Sequence, residues 1–134
     1  MRYLGLDYGA KRIGVAVSDT DGGFAFPRET IPNDNTAIDR LQKLIKEEGI
    51  KAIVIGDARA VSGAENTITA EAEAFAKKLE SFLKLPVTPI WEAWSSVEAA
   101  RFAPKGREHD DSAAAAIILQ RYLDTHRPND EETL

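Results

Sequence analysis

The sequence predicts an α/β fold whose mixed sheet has three antiparallel strands followed by two parallel strands, with helices on both faces. Two observations lead to this expectation. Three segments of strand length, apolar or alternating, occupy residues 2–8, 12–19 and 24–31, with only short links between them. The rest of the chain alternates helical patterns with single short strands, which is typical of parallel strands joined by crossover helices.

The first two strands form a predicted hairpin. Only Gly9, Ala10 and Lys11 separate them, and so short a link implies antiparallel pairing. A turn at 20–23 leads into the third strand. Pro27 places that third strand towards an edge of the sheet, because proline has no N–H to donate to a neighbouring strand.

The second half of the chain reads as alternating helices and strands. Apolar residues recur at helical spacing between 38 and 45, after the capping residues 33–35 and before the stop signal Gly49. The strand at 51–57 is almost continuously apolar, as expected for a strand covered on both faces. The remaining predicted elements are a helix at about 64–82, a strand at 85–93, a short helix at 96–103 and a last helix at 111–125.

Length and composition limit the class of protein. At 134 residues the chain has the size of one ordinary domain, and we expect that domain to span 1–125 with a flexible tail at 126–134. No apolar run approaches the roughly 20 residues that span a bilayer, and the start lacks a secretory signal. There is no cysteine for disulfides or thiolate zinc sites. We therefore expect a cytoplasmic protein that does not bind membranes.

The net charge of −5 bears on the choice of partner. Proteins that bind nucleic acids usually carry a basic surface, so an acidic chain argues against such a partner. Two considerations reduce the objection. Several acids lie in the expected tail, and acids that bind metal ions are offset by the cations they hold.

Three carboxylates are candidates for chemistry, each with an ordinary structural alternative. Asp7 lies in an apolar strand between Gly5 and Gly9, which permit close approach of backbone and ligand, although it could simply cap the turn. Glu92 ends the fifth strand, at the edge where α/β sheets bind ligands, although a solvated acid fits there too. Asp111 opens the alanine-rich last helix, where capping alone would also favour it.

Together these acids predict a metal site. One sheet could gather the three carboxylates, and their like charges would repel unless cations intervened. Oxygen ligands without cysteine or a convincing histidine favour Mg²⁺ or Mn²⁺. A pair of such ions supports phosphodiester cleavage by the two-metal mechanism.

Basic residues in the neighbouring loops could form a rim that holds phosphates, although each alone could be a solvated loop charge. His109 is a candidate for proton transfer, and an incidental loop histidine is the alternative. Trp91 and Trp94 flank Glu92, where packing is the ordinary role and base stacking the alternative. The basic candidates are Lys11, Arg12, Arg59, Lys105 and Arg107.

Two motifs resemble a known family. The opening LGLDYGAKRIGVAVSD and the closing DSAAAAIILQRYLD are similar to those of the YqgF/RuvX family of pre-16S rRNA nucleases, also described as Holliday junction resolvases. The resemblance covers about residues 2–124 and implies an RNase H-like fold. It also implies that Asp7, Glu92 and Asp111 are the catalytic, metal-binding carboxylates.

The resemblance extends to residues that would contact nucleic acid. Lys11 and Arg12 match the basic pair of the family's first motif, and Ser95 and Ser96 stand in for its two threonines. The family's Asp-Glu-Arg motif is altered, because Trp91 replaces its Asp and Ala93 replaces its Arg.

The central loop also departs from the family pattern. Asp57, Ala58 and Ala60 replace its Leu, Pro and Asn, while Arg59 could partly compensate for the missing arginine. These changes imply either a divergent nuclease or a member with reduced activity.

The expected function is metal-dependent cleavage of phosphodiester bonds. The resemblance implies 5′-end processing of pre-16S rRNA in ribosome biogenesis, or cleavage of structured or branched nucleic acid. The partner would be RNA or branched DNA, bound by a monomer or a homodimer. One alternative is an RNase H-like module that binds nucleic acid or protein without cutting. The other is an ATPase-superfamily domain, but ATPases of that superfamily need two such domains to enclose the nucleotide, and this chain supplies one.

Overall fold

The computed structural model describes residues 1–56, 67–90 and 111–125. These stretches contain strands and helices close to the predicted bounds. The predicted short helix at 96–103, the tail at 126–134 and the end of the predicted fifth strand lie outside the described residues. In chain order the described elements are β1 (Arg2–Tyr8), β2 (Arg12–Ser18), β3 (Ala25–Pro32), α1 (Ala37–Glu48), β4 (Ile50–Gly56), α2 (Thr67–Leu83), β5 (Val87–Ile90) and α3 (Asp111–Thr125).

The strands form one mixed sheet in the order β3-β2-β1-β4-β5. β1 pairs antiparallel with β2, and β2 pairs antiparallel with β3, so the predicted hairpin is confirmed. β4 runs parallel to β1, and β5 runs parallel to β4. β3 lies at the edge of the sheet, where Pro27 had placed it.

Helices cover both faces of the sheet, as predicted. On one face Leu4 and Leu6 of β1 share a buried core with Leu41 of α1 and Leu79 of α2. On the opposite face, α3 packs through a second core. β4 contributes to both cores, which confirms that it is covered on both sides. Among the helices of the described stretches, none is long and apolar enough to cross a bilayer.

The predicted stop of α1 is confirmed, whereas its N-cap is Thr36, one position after the predicted capping residues 33–35, and Thr36 makes no side-chain cap hydrogen bond. The carboxylate of Asp34 accepts a hydrogen bond of 2.8 Å from the backbone N–H of Thr36, just before the helix. Gly49 ends the helix in a left-handed conformation with φ of 66°, and its N–H donates to the carbonyl of Ile45. A glycine adopts that conformation without steric cost, so the predicted stop is confirmed.

α3 lies unusually close to the sheet. A Cβ atom on Gly5 would lie 2.7 Å from the Cβ of Leu119 and 3.1 Å from the carbonyl oxygen of Ala115. Only a glycine in β1 leaves room for the helix at that depth. The expected close approach of backbone at Gly5 is therefore confirmed, and the approaching backbone belongs to α3.

The later part of α3 is held by the β2–β3 turn. The side-chain amide of Gln120 donates to the carbonyl of Gly23 over 3.0 Å, and its oxygen accepts the N–H of Ala25 over 2.9 Å. Within the turn, the carboxylate of Asp19 accepts the N–H of Gly23 at 2.8 Å and that of Phe24 at 3.3 Å. These two hydrogen bonds favour the ionised form and hold the pKa of Asp19 below its ordinary value.

The Asp19 turn should make folding stability depend on pH. A depressed folded-state pKa stabilises the native protein at pH values above the unfolded pKa of about 3.9. This stabilisation should disappear as pH falls through the lower folded-state pKa. NMR titration of the Asp19 carboxyl should give a pKa below about 3.9. Asp19→Asn should remove this part of the pH dependence in urea denaturation, and an unchanged profile would contradict the assignment.

Candidate active site

Asp7 occupies the carboxyl end of the central strand β1. Its side chain points to the α3 face, because it alternates with Leu6 and Tyr8 of the opposite core. Its two neighbours across the sheet are both glycines, Gly14 in β2 and Gly56 in β4. Asp7 is only 3% exposed. Aspartate side chains are rarely buried to this extent unless they are paired.

The first residue of α3 lies directly over Gly14. A Cβ atom on Gly14 would lie 1.8 Å from the carbonyl oxygen of Asp111 and 2.9 Å from its Cβ. Asp111 is 4% exposed. Because Gly14 is also the cross-strand partner of Asp7, the two acids border the same glycine. The predicted convergence of Asp7 and Asp111 is thus seen in the structure.

Arg12 forms an ion pair with Asp111. Its Nε lies 2.9 Å from Oδ2 of Asp111, within the range of a charge-assisted hydrogen bond. The side chain of Arg12 is 55% exposed, whereas that of Asp111 is 5% exposed. The arginine therefore reaches from the rim of the sheet to a buried acid.

Lys11 lies beside Arg12 in the exposed link between β1 and β2. Its backbone carbonyl accepts the N–H of Asn33 over 2.9 Å. The side-chain amide of Asn33 donates to the carbonyl of Gly9 over 2.8 Å. These bonds attach the hairpin to the segment before α1. They hold the backbone near Lys11 and Arg12, the two predicted phosphate contacts of the hairpin, beside the carboxyl end of β1.

The third predicted carboxylate is outside the described residues. Asp7 pairs with Gly56, and Gly56 pairs with Ile90, so the carboxyl ends of β1, β4 and β5 share one edge. Ile90 precedes Glu92 by two positions in the sequence. In the described stretches no group of three or more potential metal ligands forms, and the role of Glu92 stays a prediction. Also outside these stretches are Asp57, Arg59, Trp91, Trp94, Ser95, Ser96, Lys105, Arg107 and His109.

The described part of the site has the chemistry of a cation site. Asp7 and Asp111 are both buried and border the same glycine, and Arg12 forms an ion pair with Asp111. Carboxylate oxygens are the donors that Mg²⁺ and Mn²⁺ prefer. The residues present therefore fit a hard divalent cation.

Sequence reasoning missed Gly14 and the ion pair of Arg12. A glycine within the apolar strand RIGVAVS was a signal of close backbone approach. Nothing in the sequence identified the approaching element, and no local pattern linked Arg12 to Asp111 across 99 positions.

Comparison with known proteins identifies the family. The profile of RuvX, described as Holliday junction resolvase, matches residues 1–125. The chain belongs to the RuvX family.

RuvX relatives match along nearly the whole chain. A protein of Geobacillus kaustophilus is 40% identical over 138 residues, which cover 95% of this chain and 100% of the relative. A protein of Lactobacillus acidophilus is 35% identical over 140 residues, which cover 95% of this chain and 99% of the relative. Both carry the name "Putative pre-16S rRNA nuclease". The predicted family is confirmed, and it is not the ATPase superfamily.

A solved structure shares the fold of this RuvX chain. RuvC of Thermus thermophilus, solved in complex with a Holliday junction substrate, superposes with a TM-score of 0.55 at 14% identity. The match covers 93% of this chain and 94% of RuvC. The expected RNase H-like fold is confirmed.

Gly14 should be intolerant of any side chain. Gly14→Ala places a methyl group against the Asp111 backbone. The variant should therefore have a free energy of unfolding lower by about 1–3 kcal/mol or more, because 1–3 kcal/mol is typical of overpacked cores. Urea denaturation should show the loss, and hydrogen exchange should be faster in the first turn of α3. Gly23→Ala is the matched control, because a Cβ atom there meets nothing within 4 Å. Equal stability of the two variants would refute the close contact.

Proposed function

We propose that this chain is a metal-dependent nuclease that hydrolyses phosphodiester bonds, with Asp7, Glu92 and Asp111 as its catalytic carboxylates. The observation that carries the proposal is the meeting of buried Asp7 and Asp111 over Gly14, at the carboxyl edge of the sheet. Family membership supports the same reading, because the relatives are named for a nuclease.

The energetics of the acid pair favour a functional role. Like charges that lie close together in a partly dry site repel each other more strongly than they would in water. Burial adds the cost of removing each carboxylate from water. Arg12 relieves part of this cost for Asp111. Proteins tend to accept such unfavourable arrangements where function requires them.

The carboxylates would hold Mg²⁺ or Mn²⁺, with Glu92 completing the ligand set for a pair of ions. Ions held there would supply activation of a water nucleophile and neutralisation of the leaving oxygen. The fold of the chain fixes the positions of the carboxylates. Asp7 is fixed by a strand paired on both sides, and Asp111 is fixed by the contact of its own backbone with Gly14.

The substrate we propose is the 5′ region of pre-16S rRNA, which places the protein in ribosome biogenesis in the cytoplasm. Relatives at 35% and 40% identity carry pre-16S rRNA in their names, whereas RuvC with its Holliday junction is only 14% identical. Branched DNA is therefore the second substrate to test. Exposed Lys11 and half-exposed Arg12 would contact phosphates. Arg59, Ser95, Ser96, Lys105 and Arg107 are further proposed contacts.

Removal of either described carboxylate should abolish cleavage. Loss of a partner that merely orients a metal ligand costs about 10–100-fold, so loss of a ligand should cost at least about 100-fold. Asp7→Asn and Asp111→Asn should show this loss on a pre-16S rRNA 5′ fragment with Mg²⁺ or Mn²⁺. Products of the wild type should carry 5′-phosphate and 3′-hydroxyl ends.

Asp21→Asn is the matched control, because Asp21 is an exposed acid of the β2–β3 turn. It should cut at the wild-type rate. Circular dichroism should show that all three variants fold. Cleavage that persists in Asp7→Asn, or that needs no divalent metal, would refute the proposed mechanism.

A binding module without cleavage is the second candidate function. The observation in its favour is the altered motif, in which Ala93 stands where the family has arginine. The net charge of −5 also favours weak phosphate contact. Binding of the rRNA fragment or of a four-way DNA junction without cleavage, by wild type and variants alike, would support the module.

A further inference from the structure

The contact between Arg12 and Asp111 joins a solvent-exposed cation to a buried proposed metal ligand. Oδ2 of Asp111 accepts the hydrogen bond from Nε of Arg12. A divalent ion held by Asp111 would need carboxylate lone pairs of that same side chain. Arg12 is therefore placed where it competes with the metal for one ligand.

Arg12 has hydrogen-bond donors that its contact with Asp111 does not use. A guanidinium carries five N–H donors, and Nε uses one of them. Within the described part of the chain, the terminal nitrogens of Arg12 make no further contact. With 55% of its side chain exposed, the arginine can move without disturbing the core. Its planar fork suits a phosphate, which it can bind through two parallel hydrogen bonds.

We propose that Arg12 is an exchangeable counter-ion that couples metal binding to nucleic-acid binding. In the metal-free protein it holds Asp111. When nucleic acid arrives, the guanidinium moves to a phosphate, and Oδ2 of Asp111 exchanges its hydrogen bond with Arg12 for a bond to the divalent ion. This inference rests on the proposed function, because it requires Asp111 to be a metal ligand.

Coupling of this kind has a definite sign. Without nucleic acid, a divalent ion must either take Oδ2 of Asp111 from the guanidinium or bind the same carboxylate beside that positive charge. Arg12 should therefore weaken metal binding by the free protein. Nucleic acid offers the guanidinium another anion and should relieve that effect. Because coupling between two ligands is reciprocal, metal should strengthen nucleic-acid binding by the same factor.

The test compares Mn²⁺ affinity in five proteins: wild type, Arg12→Gln, Arg12→Lys, Asp7→Asn and Arg40→Gln. Arg40→Gln is the matched control, because Arg40 is an exposed arginine of α1, outside the site. Isothermal titration calorimetry and electron paramagnetic resonance report Mn²⁺ binding directly, without cleavage. Each protein is titrated alone and with a short single-stranded RNA whose phosphoramidate linkages resist hydrolysis.

Without RNA, Arg12→Gln should bind Mn²⁺ about fivefold more tightly than wild type, near the lower end of typical coupling. The Mn²⁺ affinity of Arg12→Lys should lie between the affinities of wild type and Arg12→Gln. The Mn²⁺ affinity of Arg40→Gln should equal that of wild type. The RNA should tighten Mn²⁺ binding by a larger factor in wild type than in Arg12→Gln. Urea denaturation should show that each variant is folded.

Two results would overturn the inference. Unchanged or weaker Mn²⁺ binding in Arg12→Gln would mean that Arg12 only holds Asp111 in place. An equal effect of RNA on wild type and Arg12→Gln would mean that Arg12 does not couple the ligands. Asp7→Asn distinguishes failure of the proposed coupling from failure of the proposed function. If it abolishes Mn²⁺ binding while Arg12→Gln has no effect, the coupling fails and the proposed function stands. If no protein binds Mn²⁺ with or without RNA, both fail.

Discussion

The depth at which α3 packs on the sheet is the constraint on which the other features depend. Side chains normally keep a helix well clear of a strand backbone. Here Gly5 and Gly14 remove two of those side chains. The Leu119 side chain and the Ala115 carbonyl take the space at Gly5, and the Asp111 backbone takes the space at Gly14. On β4, Gly56 likewise faces Ile118, whose Cγ2 would lie 3.1 Å from a Cβ there. The start of the helix is therefore positioned by backbone contact, which is stiffer than any contact between flexible side chains.

This packing has an electrostatic consequence. It buries Asp111 next to the strand that carries Asp7, and it leaves two acids in a region with little water. A surface arginine relieves one charge, but an arginine is also the group that nucleic acids attract most readily. In the proposed coupling, the same side chain both neutralises Asp111 and responds to a phosphate.

Much of the fold was predictable because local rules decide it. The link at Gly9–Lys11 is too short for anything but a hairpin, Gly49 ends α1, and Pro27 marks an edge strand. The meeting of Asp7 and Asp111 followed from strand order and from the alanines that open α3. The pairing of Arg12 with Asp111 could not be predicted, because it depends on the distance between two distant elements. The family motif predicted the residue type at Arg12 without revealing its partner.

The order of elements along the chain adds a consequence for synthesis. α3 follows every described strand in sequence, yet it covers the face of the sheet that carries Asp7. That face stays open to solvent while the polypeptide is still growing. The two acids can meet only when the last helix docks, so an incomplete nascent chain cannot assemble the pair.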